Sequence, residues 1–106
     1  MTQNNLGSAY VDLPSQDRGE NLKRAIARYE AALRVRTERD FPLDWAATQM
    51  NLGNAYRQLP TGDAKENVRR AIECFKAAAR GYTAVGMTGD AEKAAERAAA
   101  LENQLG

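Results

Sequence analysis

The chain contains no histidine. That removes the commonest general base at neutral pH and the commonest metal ligand. A single cysteine, Cys74, excludes an intrachain disulfide and, with no histidine to join it, leaves no zinc site. HExxH, P-loop and GxSxG patterns are all missing. The expectation is a protein that is not an enzyme and carries no cofactor or metal. No run of about 18 apolar residues occurs, and the N-terminus lacks a basic and then apolar leader. A soluble protein in a reducing, cytoplasmic compartment is the natural reading. Excess charge of one sign is lacking too. Lys and Arg number 15 against 14 Asp and Glu, a net charge of +1, whereas a dedicated nucleic-acid binder carries a clear basic excess. Neither a nucleic acid nor a membrane is expected as partner.

What is present is repetition. The 106 residues, 43% hydrophobic, suffice for one compact domain. Within it TQNNLGSAY (2–10) returns as TQMNLGNAY (48–56). A shift of 46 residues aligns the two halves, and 19 of the 36 positions from 2 to 37 are identical to their counterparts. That is duplication, and it divides residues 1–106 into a first unit (1–40), a second unit (41–86) and a terminal segment (87–106).

Each unit reads as two helices. Leu6, Ala9, Tyr10 and Leu13 recur at helical spacing, and Pro14 with the following SQD stops that helix. Asp17 and Glu20, then Asp63 and Glu66, form capping boxes in which the aspartate accepts exposed amide protons and the glutamate reaches back. The second helix has an apolar face of Leu22, Ala25, Ile26, Tyr29, Ala32 and Leu33. Its copy carries Val68, Ala71, Ile72, Phe75, Ala78 and Ala79. Phe41-Pro42 marks the junction of the units. Residues 90–105 show a narrow stripe of Ala91, Ala94, Ala98, Leu101 and Leu105, with Gly86 and Gly89 punctuating the approach. One apolar side and one wet side suit a cap on a helical stack.

These residues resemble the tetratricopeptide repeat family. Leu6-Gly7 with Tyr10, and Leu52-Gly53 with Tyr56, match the first half of its pattern. Ala25 with Tyr29, and Ala71 with Phe75, match the second, and Ala32 and Ala78 supply the next small position. The likeness covers residues 2–85. It departs from the family in its 46-residue period against the usual 34, in the place of Trp45, and in the missing terminal proline. The longer period is similar to that of kinesin light chains and large bacterial signalling arrays. The resemblance implies an all-α solenoid of two hairpins plus a capping helix. It also implies a non-catalytic module that takes a peptide or protein segment into a concave groove lined by the first helix of each hairpin.

Carried over residue by residue, that groove would present Asn4, Asn5, Ser8 and Asp12, then Met50, Asn51, Asn54, Arg57 and Gln58. Asparagine offers both a donor and an acceptor, so a ladder of them can hold a peptide backbone whatever its side chains. The plainer reading is that Asn5 and Asn51 brace neighbouring helices. Lys93 and Arg97 on the cap could add a basic wall, or could pair with Glu92 and Glu96. Cys74 stands where the first unit has Arg28, which places it at a solvent-facing edge as a passive thiol. Trp45 reads as packing beneath the connector. The basic residues Lys23, Arg24, Arg28, Arg34 and Arg36 read as a solvated helix face.

The alternative is structural: a spacer or excised repeat fragment with no ligand. Met1 aligns with Ala47, so unit one lacks a counterpart of residues 40–45. On that reading the chain is cut from a longer array, and its open end (Leu6, Tyr10, Leu13) forms a homodimer.

Overall fold

The structure, a computed structural model, describes residues 18–105. Four α-helices follow one another: α1 (Arg18–Val35), α2 (Pro42–Gln58), α3 (Ala64–Ala84) and α4 (Thr88–Leu105), with no strand among the described residues. The expected first helix of unit one, with Asn4, Asn5, Ser8 and Asp12, and the cap residue Asp17 lie outside them.

Helix boundaries follow local chemistry. Phe41 is the N-cap residue of α2 without a side-chain cap, and Pro42 occupies the first turn, where its missing N–H removes no helical bond. The helix stops at Gln58, and Leu59, extended ahead of Pro60, has the conformation a following proline favours. Asp63 caps α3, its carboxylate accepting from the Glu66 N–H at 3.1 Å. The expected return reach of Glu66 gives way to ion pairs: its carboxylate meets Arg70 at 3.4 Å and Arg69 at 3.7 Å. In the turn before α3, Gly62 takes the left-handed φ of 83°. The buried Asn67 then closes that turn, its Nδ2 donating to the Thr61 carbonyl at 2.8 Å. Gly86 takes a φ of 77° after α3, whereas Gly89, expected in the connector, falls in the first turn of α4.

Substantial packing joins α1 to α2, α2 to α3 and α3 to α4, chain neighbours in each case. The register is antiparallel. Gly53 faces Phe75 and Ala46 faces Gly81 across α2 and α3, so one helix descends as the other climbs. Arg36–Asp44 at 4.0 Å and Tyr56–Glu30 at 3.4 Å set the same relation for α1 and α2. Consequently α1 and α3 run parallel to each other on either side of α2.

The core is the duplicated apolar pattern. Ala25, Ile26, Tyr29 and Ala32 are buried in α1, and their counterparts Ala71, Ile72, Phe75 and Ala78 are buried in α3. The stripe on α4 is buried at Ala91, Ala94, Ala98 and Leu101 and half-buried at Leu105. Thr48, a polar side chain in this core, donates its hydroxyl to the Asp44 carbonyl one turn back at 2.8 Å and so avoids the cost of an unpaired buried group. Trp45 is buried too, against Gly81 and Arg80 of α3, and that Arg80 in turn reaches Glu38 of the α1–α2 connector. The exposed large apolar residues Val35, Phe41, Leu43, Val85 and Met87 all lie where α1 and α3 end and α2 and α4 begin, at one end of the bundle.

Candidate functional site

Two surfaces on opposite sides of α2 carry the polar groups. The first is turned towards α4. Asn54 and Arg57 are three residues apart on α2, and the Asn54 Oδ1 accepts from the Arg57 Nη2 at 3.5 Å and from the Arg97 Nη1 at 3.3 Å. Three residues singled out from the sequence therefore meet. Arg97 does not pair with Glu92 or Glu96. Its helix packs its small-residue stripe on α3, which brings the guanidinium to Asn54, 6.0 Å from the Phe75 ring centroid. Near the start of α4, burial first and then the Asp90 carboxylate push the Tyr82 phenol up, with Arg97 pulling the other way. Lys93 is exposed one turn before Arg97. Met50 is half-buried and packs on the hydrophobic core, Asn51 is half-buried, and Gln58 accepts a hydrogen bond from Arg18 at the far end of α1.

The second surface is a groove of about 620 Å³ between α1 and α3, with α2 as its floor. Trp45, Gln49, Leu52 and Tyr56 form the floor; at spacings of four, three and four they share one helix face. Glu30, Leu33 and Arg34 make the α1 wall, and Glu73, Cys74, Ala77 and Arg80 the α3 wall. The Tyr56 hydroxyl donates to the Glu30 carboxylate at 3.4 Å. Burial first and then Glu30 raise the phenol's pKa, partly offset by Arg70, whose guanidinium stands 5.7 Å from the ring centroid. At the other end Arg80 lies 5.7 Å from the Trp45 ring centroid and 3.4 Å from Glu38 of the α1–α2 connector.

Cys74 departs from its expected edge position. It is buried, 8% exposed, in the core cluster with Leu52 and Tyr56 of α2, whereas Arg28 in the equivalent place on α1 is exposed. The thiol is pushed up to about 12, by burial first and then by the Glu30 and Glu73 carboxylates. At neutral pH it is an un-ionised, apolar wall residue without nucleophilic character. A raised acid pKa in the folded state means that unfolding releases a proton between the two pKa values. The stability contributed is full below the unfolded value near 9 and is lost as pH rises towards 12. Wild-type melting temperature is expected to fall over that window, and Cys74→Ala to flatten the fall. Parallel wild-type and variant curves from pH 8 to 12 would show that the thiol is not buried.

Among the described residues no group of three His, Cys, Asp or Glu could hold a metal ion, and no helix is long and apolar enough to cross a membrane. The chain matches no family model, no curated protein and no solved structure. The duplication remains the comparison that informs the site. Of the positions shared by both units, Asn21 and Asn67 are buried, whereas Arg34 and Arg80 are exposed and line the groove. The groove residues Leu33, Cys74 and Ala77, and Arg97 as a partner of Asn54, were not assigned a site role together by sequence spacing. Their juxtaposition depends on which helices pack, although the alternation of Glu30 with Arg34 and Glu73 with Arg80 is visible in the chain.

Proposed function

We propose that this protein is a non-catalytic interaction module of the tetratricopeptide type, holding a peptide or protein segment against the first helix of its second hairpin, α2. The observation that carries the reading is the Asn54–Arg57–Arg97 cluster. The two guanidiniums occupy the Asn54 amide oxygen, so the cluster offers a ligand N–H donors from all three side chains and no competing acceptor. Peptide carbonyls and carboxylates are the groups such a surface recognises. Asn51, one turn before Asn54 on the same helix, and Lys93, one turn before Arg97, extend it. The lack of a histidine and the un-ionised state of Cys74 are in keeping with binding without chemistry.

The test is a peptide-display selection on the full chain, followed by affinity measurement on an Asn51→Ala/Asn54→Ala double variant. Selected peptides are expected to bind the variant at least about tenfold more weakly, some 1.4 kcal/mol, with its helical circular dichroism retained. Unaltered affinity for every selected peptide would remove this face as the site.

A further inference from the structure

We infer that the groove between α1 and α3 is a second and separate binding site, fitted to an extended peptide segment carrying one acidic and one basic residue around an apolar centre. The argument begins with direction. Since α1 and α3 run parallel, their walls place charges in the same order: Glu30 precedes Arg34 on one, and Glu73 precedes Arg80 on the other. In both of these pairs the acidic member lies towards Tyr56 and the basic one towards Trp45, with Glu66, Arg69 and Arg70 of α3 beyond Glu73. Between the charged ends the lining is mainly apolar, with Leu33, Leu52 and Ala77 beside the Gln49 amide.

The three groove-lining charges beyond these pair with one another. Glu66 holds Arg69 and Arg70 past Tyr56. Arg80 meets Glu38 across a pair in which both side chains are about half exposed, so a ligand carboxylate can replace that partner at little cost. Arg34 has no ion-pair or hydrogen-bond partner among the described residues. The basic end thus offers two guanidiniums to an incoming carboxylate, beside the Trp45 ring. The acidic end offers Glu30 and Glu73 to an incoming cation.

Spacing fixes the length of the occupant. Glu30 and Arg34 are four residues apart, about 6 Å along a helix, and Glu73 and Arg80 are seven apart, about 10.5 Å. An extended chain covers that span in two to three residues at about 3.3 Å each. The occupant is accordingly an acidic residue, then one or two apolar residues, then a basic residue. The lining sets three carboxylates, Glu30, Glu66 and Glu73, among four guanidiniums, Arg34, Arg69, Arg70 and Arg80, and this alternation of sign suits a mixed-charge peptide better than a polyphosphate chain of one sign throughout.

The single tryptophan lies in the floor, so its fluorescence reports occupancy directly. The titration uses the full chain and three blocked peptides: Gly-Asp-Leu-Leu-Arg-Gly, its diacidic form with Asp in place of Arg, and its dibasic form with Arg in place of Asp. The mixed-charge peptide is expected to bind tightest, by about fivefold over either control, consistent with two exposed charge contacts. Arg34→Glu/Arg80→Glu is expected to reverse the order in favour of the dibasic peptide, a switch that a general loss of folding would not produce. The Asn51→Ala/Asn54→Ala variant is expected to leave these titrations unchanged, which keeps this site apart from the one on the opposite face of α2. Equal affinity for all three peptides, an unaltered preference in the charge-reversed variant, or tighter binding of an oligothymidylate than of any peptide would each overturn the proposal.

Discussion

Phe75→Ala is expected to remove about 3–5 kcal/mol of stability, the usual cost of emptying an aromatic site in a core. A domain of this size has roughly 5–15 kcal/mol in total, so the variant should sit near its unfolding midpoint in mild urea. The ring is 0% exposed and fills the space opposite Gly53, where a Cβ would stand 2.8 Å from its Cε1. That contact makes the prediction testable twice over. Gly53→Leu alone should cost about 1–3 kcal/mol by overpacking. Combined with Phe75→Ala, the new leucine grows into the vacated volume, and the pair should be more stable than the two separate losses imply by about 1 kcal/mol or more. Denaturant titrations of the four proteins give the coupling. Strict additivity would mean that the two side chains do not share one space.

Gly81→Leu should be comparably harmful for a different reason. A Cβ there would meet the Ala46 Cβ at 2.7 Å and the Pro42 carbonyl oxygen at 3.0 Å. The first cannot rotate away and the second is backbone, so α2 and α3 must separate at that end. Overpacking of this kind reaches about 3 kcal/mol. Relief through a shift of the Phe75 ring, conceivable at Gly53, has no counterpart here. Even Gly81→Ala, which should gain helix propensity of about 1 kcal/mol at a neutral site, is expected to lower the melting temperature. A rise would show that the two helices are not in close contact at Ala46. The same position in the first unit is Val35, 70% exposed, so the duplicated sequence diverges where the described helix contacts diverge.

That divergence marks how far the sequence could be read. Helices were legible wherever one side chain's fate depends on its own helix: the alternation of Ala71, Ile72, Phe75 and Ala78, the Asp63 cap, and the narrow stripe on α4. The junction at Phe41-Pro42 was legible for the same reason, since proline acts on the turn it occupies. Cys74 was not. An exposed place for it follows from Arg28 only if both units have the same neighbours, and Cys74 packs in the core cluster with Leu52 and Tyr56 of α2 while Arg28 faces solvent. The role of Gly81 depends on Ala46 and the Pro42 carbonyl of another helix, which spacing along α3 does not encode. On the candidate site, Asn54, Arg57 and Arg97 each stand out in the sequence, but there Arg97 is open between a basic wall with Lys93 and a pairing within its own helix. Its path to Asn54 crosses from α4 to α2, a relation that periodicity along one helix does not encode.

The order of packing has a consequence for cooperativity. Because the substantial contacts are between chain neighbours, α1 and α3 are coupled mainly through α2, and either end of the described chain can fray without tearing the other. A segment lying in the groove would touch α1, α2 and α3 at once, adding a direct bridge between helices that otherwise have only an intermediary. Amide exchange in the bound protein would then slow together in α1 and α3, in step, while α4 kept its own rate. The groove would be a place where a ligand changes how many helices unfold as one unit.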